Sequence, residues 1–158
     1  MVTTPASLTR STVIQKVFEN IYDRLVDNVT SVSITGPVTV TIKTYTNSFP
    51  DKPLDEKSDY PILVVNVPSL NWDNFTIKKK TARGTFTVDI YTTSSEAADK
   101  FADAISNSIE TYRDDLKAVR VDFVNLDSMS ADQAFRGNIK VHLRSLTFSF
   151  KYSFTGSL

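Results

Sequence analysis

The stretch that most constrains this chain spans residues 139–154 and reads Ile-Lys-Val-His-Leu-Arg-Ser-Leu-Thr-Phe-Ser-Phe-Lys-Tyr-Ser-Phe. Ile139, Val141 and Leu143 alternate with Lys140, His142 and Arg144, the period of two that marks a half-buried strand. The phase then changes, because Leu146, Phe148, Phe150, Tyr152 and Phe154 are the apolar set from there on. In a strand with one buried face, such a slip sends every later side chain to the wrong side. A β-bulge near Arg144 and Ser145 would restore the face by inserting one extra residue. The stretch is also far longer than the usual ~5–6 residues of a strand. Burying the five large residues of its second half contributes roughly 1.5–3 kcal/mol each, as an upper bound. No other segment offers as much, so this is read as a central strand and, chemically, as a scaffold.

The other segments supply its neighbours. Thr9 or Ser11 can cap a helix in which Val13, Ile14, Val17, Phe18, Ile21, Leu25, Val26 and Val29 recur at helical spacing. Gly36 and Pro37 break the chain, and residues 38–45 are rich in β-branched side chains, a strand signal. Residues 62–67 form a short continuous apolar run, as in a strand buried on both faces, and Pro68 ends it. Residues 70–92 read as two antiparallel strands joined or flanked by a basic segment. Ser94 or Ser95 caps a second helix whose stripe is Ala98, Phe101, Ala102, Ile105, Ile109 and Tyr112. Residues 119–124 alternate as a further strand, and 125–138 read as a polar loop carrying Met129, Phe135 and Gly137. Because Met129 and Phe135 have no periodic partners, that loop is expected to order against a neighbouring subunit. The sum is one α+β domain over residues 1–158. Its sheet is mostly antiparallel or mixed, and two main helices form a single layer on one face.

Composition removes several functions. With 18 basic and 18 acidic residues, overall charge steers the chain toward neither nucleic acid nor a basic partner. The absence of cysteine excludes disulfides, thiolate nucleophiles and Cys-type zinc sites. Four scattered glycines cannot build a phosphate-cradling loop or a dinucleotide fingerprint. The single histidine, His142, lies on the face opposite Val141 and Leu143, and no triad or zinc partners can be named for it. Asp51, Asp55, Glu56 and Asp59 share a loop, but they lack the glycine and spacing of a calcium site and read as a solvated face. The N-terminus has neither the basic nor the apolar region of a signal peptide. The longest uncharged run, residues 28–42, is too polar to span a membrane. The expectation is a non-enzymatic protein with no cofactor, no metal, and no catalytic residue.

One charge cluster stands out: Lys78, Lys79 and Lys80, with Arg83 just beyond. It can contact a phosphate backbone, which needs cations and little geometry, and Trp72 and Phe75 nearby can stack on bases. The plainer reading is a charged hairpin tip that discourages aggregation, and charge alone favours it, since no second cluster widens the footprint.

The order of elements resembles a family. An N-terminal amphipathic helix is followed by the strand Tyr60-Pro61-Ile62-Leu63-Val64-Val65. Phe86, Val88, Ile90 and Tyr91 then lead into the helix over 95–112, and Arg144, Leu146, Phe148 and Phe150 close the chain. Together these look like the tail terminator, or tail completion, proteins of long-tailed bacteriophages, over most of the chain. The resemblance implies a ring, a hexamer, that caps the tail tube, ends its polymerisation and presents a surface to the head connector protein. It implies a virion location, with assembly in the host cytoplasm, and no membrane. DNA in transit would pass through the lumen without sequence preference, beside Lys78, Lys79, Lys80 and Arg83, while Met129, Phe135 and Arg136 would meet the neighbouring subunit. Within virions, the alternative is a head-side connector or head-completion protein of similar build. Outside them, the alternatives are a small cytosolic enzyme or a nucleic-acid-binding module, and a ligand-sized pocket with convergent polar groups would favour the enzyme.

Overall fold

The computed structural model describes residues 13–50, 54, 56–74, 79–118 and 120–155. In chain order these form α1 (Val13–Asn28), β1 (Ser31–Ile34), β2 (Val38–Thr41), β3 (Thr44–Thr46), β4 (Ile62–Val65), β5 (Ser69–Asn74) and β6 (Lys79–Thr92). Then come α2 (Ser95–Thr111), α3 (Arg113–Ala118), β7 (Val121–Arg136) and β8 (Ile139–Thr155). The class is α+β, with helices on one face of a mostly antiparallel sheet.

The main sheet has the order β3-β4-β6-β8-β7. β4 and β5 lie end to end along one side of β6, β4 opposite residues 88–91 and β5 opposite 80–85. Only β3 and β4 run parallel. The β-branched stretch expected as one strand over 38–45 divides at Ile42 and Lys43. β2 pairs with β1 in a separate hairpin that turns at Gly36, whose φ of 135° suits glycine, while β3 joins the main sheet. That hairpin is tied to α2, since the backbone N–H and hydroxyl of Thr35 both donate to Glu96 Oε1, at 3.1 and 2.9 Å.

Both long helices bury most of the stripe that their spacing predicts, but Ile14 is 44% exposed and Phe18, Val26 and Tyr112 are only half-buried. Val17, Ile21 and Leu25 of α1 are fully buried, as are Ala97, Ala98, Phe101 and Ile105 of α2. The Ala97 N–H donates to Ser94 Oγ at 3.3 Å, so Ser94 is the cap of α2. The cap expected for α1 at Thr9 or Ser11 lies outside the described residues.

The phase change in the long strand is real, but its expected cause is overturned. β6 and β8 pair without interruption from Lys79 opposite Thr155 to Thr92 opposite His142, so there is no bulge at Arg144 and Ser145. The sheet is instead covered on both sides at this end. Leu146, Phe148, Phe150 and Tyr152 pack with Phe86, Val88 and Ile90 under the helices. Val141 and Ile139 pack on the opposite face with Ile62, Val64, Tyr91, Leu54 and Tyr60. Each phase is therefore buried on its own side. Arg144 falls in the helix-facing phase and is buried, and its Nε donates to Asp99 Oδ1 of α2 at 2.9 Å. β4, caught between the two clusters, has all four residues buried, as its apolar run predicts, but the strand stops at Val65, and Val67 is 55% exposed.

The register irregularities lie in β7, between Asp122 and Asn125 and between Leu126 and Ser128. The polar loop expected over 125–138 is corrected too. Residues up to Arg136 continue β7 and pair with β8 to the turn at Gly137. Their backbone is paired within their own chain. Every residue from 125 to 136 is exposed, because β7 is the edge strand and this part of it is bare on both faces.

Tyr152 carries a pH signature. It is fully buried, and burial pushes its phenol from about 10 up to about 12. Between those values the unfolded chain has lost a proton that the folded chain keeps, so stability should fall as pH rises from 10 to 12. Denaturation midpoints across that range should decline in the wild type and decline less in Tyr152→Phe. Parallel declines would show that Tyr152 is not the group responsible.

Candidate functional site

Two features of the sheet stand out from the scaffold. The first is its face away from the helices. Across four strands the register sets Asn71 opposite Arg83, Arg83 opposite Lys151, and Lys151 opposite Asp122. The next row on the same face is Ser69, Thr85, Ser149 and Asn125. These residues alternate with buried Ala82, Phe86 and Tyr152, so they point away from the core. An open depression of about 450 Å³ lies over them.

Arg83 and Lys151 face each other on adjacent strands, and Asp122 stands opposite Lys151 on its other side. Phe123 forms one wall. Between Asp122 and Asn125 β7 has two residues where β8 has one. Val124 takes the buried place, and Phe123 is pushed outward with φ at 53° and 72% of its surface exposed. For a bulky residue that left-handed conformation costs roughly 1–3 kcal/mol. Lys151 Nζ sits 5.8 Å from the Phe123 ring centre, within cation–π range. Arg113 fixes the bulge from α3, donating to the Val124 carbonyl at 2.9 Å and to Asn125 Oδ1 at 3.0 Å.

The second feature is the free edge of β7. Leu126, Met129 and Phe135 are 42%, 54% and 74% exposed. Their partners in β8, namely Phe148, Leu146 and Lys140, place all three on the helix side of the sheet. Arg136 takes the other side, with its guanidinium 4.9 Å from the Phe49 ring centre. Met129 and Phe135 therefore share a surface, and Arg136 is engaged within its own chain.

Of the basic cluster, Lys78 lies outside the described residues, and for Lys79 and Lys80 only the backbone is described, at the start of β6. Arg83 is exposed on the polar face. Its companion there is Lys151, which sequence reasoning missed because register alone brings the two together. The only sequence signal for Lys151 was its place among the polar positions of β8.

The remaining candidates have structural settings. His142 is half-buried in a recess with Ser95, Asp132, Gln133 and Arg144. Burial, then the nearby Lys140 and Arg144 charges, pushes its pKa below the usual histidine value. Glu56 and Asp59 cap a short 3-10 turn, Lys57–Asp59, reciprocally, and Asp51 and Asp55 lie outside the described residues. Asp115 pairs with Arg24 at 3.2 Å. Among the described residues no three acidic or histidine side chains are grouped as a metal would require, and no helix is long and apolar enough to cross a membrane. No protein-family model matches this chain, and no curated protein matches it.

Proposed function

We propose that this protein is a structural subunit of a long-tailed bacteriophage virion, a tail terminator that assembles with copies of itself, six in number, into a ring on the end of the tail tube. The observation that carries the reading is the outer edge of β7. A long edge strand offers a row of unpaired backbone donors and acceptors, and proteins that stay monomeric blunt such edges with charge, proline or brevity. Here the edge is long, and it bears exposed Leu126, Met129 and Phe135 on one side. Apolar and aromatic groups gathered at an edge are what a subunit contact requires.

A ring follows when such a contact joins two different surfaces and the rotation closes. Met129 and Phe135 belong to that contact, and Arg136 supports it by holding the arm against Phe49. Lys78, Lys79, Lys80 and Arg83 face the lumen, where they meet DNA in transit by charge alone. The order of helices and strands set out from the sequence supports the assignment to terminators, and the ring ends tube growth while offering its other face to the head connector. On this reading the protein turns over no substrate and needs no cofactor.

The test is polymerisation of the tail tube protein from the same virus. Adding this protein should give shorter tubes with extra density at one end. Tubes of unchanged length with bare ends would contradict the terminator role and move the protein to the head side of the joint.

A further inference from the structure

The polar depression is unexplained by the edge contact, and charge is not what distinguishes it. Lys151 stands between Arg83 and Asp122 on the neighbouring strands, and Arg83 is itself engaged. The depression is distinguished by neutral groups. Ser69, Asn71, Thr85, Asn125 and Ser149 line it from four strands, and every one of these side chains can both donate and accept a hydrogen bond. Such a floor suits a ligand that is itself neutral and rich in hydroxyls.

Phe123 supplies the other half of a site for that ligand. Its ring forms a wall of the depression, set outward at a φ of 53° with 72% of its surface exposed. A conformation of that kind persists only where its surroundings hold it. Here Arg113 grips the Val124 carbonyl and Asn125 Oδ1, and Asn125 Nδ2 in turn donates to the Phe123 carbonyl at 3.2 Å. The aromatic surface is therefore in place before any ligand arrives, which lowers the cost of binding. A pyranose ring carries hydroxyls around its rim and C–H groups on its faces. Its faces suit the negative face of an aromatic ring, and its rim needs polar partners to the side.

We propose that this depression binds a neutral saccharide, with one hexose ring laid against Phe123 and a second unit running across the strands toward Asn71. Neighbouring strands lie about 4.8 Å apart. Ser149 is one strand away from Phe123, Thr85 two and Asn71 three. The first hexose thus reaches Ser149 and Thr85, while Asn71, roughly 14 Å from β7, is left for the second. The volume of about 450 Å³ falls in the range of about 300–1,000 Å³ typical of small-ligand sites. The bulge in β7 has a purpose on this account, since it delivers the aromatic wall. The site belongs to one subunit and stands whether or not the protein forms rings.

The experiment is saturation-transfer NMR of the full chain with methyl glucoside, methyl galactoside, maltose, cellobiose and lactose. At least one disaccharide should bind saturably with a Kd on the order of millimolar. Its strongest saturation should fall on C–H protons of one ring face, the mark of stacking. Phe123→Ala should weaken binding about 2- to 12-fold, and Phe123→Trp should preserve it. Asn71→Ala should weaken disaccharide binding about 2- to 12-fold and leave the matching monosaccharide unchanged. A neutral ligand should also be indifferent to salt, and inorganic phosphate should not displace it. Phe123 and Asn71 are exposed, so thermal melting should stay near the wild-type value and confirm that each variant is folded. Absence of saturable binding by all of these sugars at roughly tens of millimolar would overturn the proposal. So would equal binding in wild type and Phe123→Ala, or displacement of the sugar by phosphate.

Discussion

Phe148→Ala should lower the stability of the isolated subunit by about 3–5 kcal/mol, the range for an aromatic removed from a packed core. Phe148 lies in the middle of β8 and is 1% exposed. Its ring stacks on that of Phe86 in β6, with centres 4.9 Å apart and planes 11° from parallel. Phe150, 6.0 Å from the same Phe86 ring, packs over Gly84. A domain of this size has roughly 5–15 kcal/mol in total, so the loss should be plain in urea denaturation as a much lower midpoint. Thr147→Ala, on the opposite face of the same strand, should change the midpoint little. A Phe148→Ala midpoint equal to wild type would mean that the sheet and helices do not share this core.

Gly84→Val should be nearly as damaging, by overpacking where Phe148→Ala leaves a void. Gly84 sits in β6 between Leu70 of β5 and Phe150 of β8. A Cβ there would stand 2.6 Å from Phe150 Cζ, 2.6 Å from the Ser69 carbonyl oxygen and 2.7 Å from Leu70 Cδ2. The ring can turn aside, but the Ser69 carbonyl is backbone, and moving it parts β5 from β6. The cost should reach about 3 kcal/mol, the top of the usual range for overpacking. The damage should also be local. Amide exchange should quicken in β5 and the first half of β6, while β4 and the second half of β6 stay protected. Uniform loss of protection would show that β5 is not a separable part of the sheet.

The parts of this fold legible in the sequence are those in which one pattern of burial holds along the whole element. Val17, Ile21 and Leu25 announce α1, Phe101 and Ile105 announce α2, and the apolar run at Ile62 announces a strand buried on both sides. Where burial switches face along a strand, or is absent from both faces, pattern misleads. The phase change at Arg144 suggests a bulge only if one side of the sheet is wet, and Leu54 and Tyr60 cover the other side from a distant loop. β7 looks like a loop because an edge strand exposed on both faces has no reason to alternate, so Ser128, Asp132 and Gln133 carry no strand signal. The division at Ile42 is a matter of pairing partners, which no local window contains. The same holds for the candidate site. The lysine cluster and Arg83 could be singled out by charge, but Lys151 and Phe123 join Arg83 only through the register of β6, β8 and β7.

The central claim is that the free edge of β7 joins one copy of this chain to the next, and the native mass in solution tests it most directly. Light scattering on the purified wild type should report six chain masses, and electron microscopy should show closed rings. The double variant Met129→Glu and Phe135→Glu places charges on the two most exposed apolar positions of the arm between residues 125 and 136. It should run as a single folded chain with an unchanged circular dichroism spectrum. A wild type that stays monomeric at high concentration, or a double variant that still forms the same rings, would contradict the account.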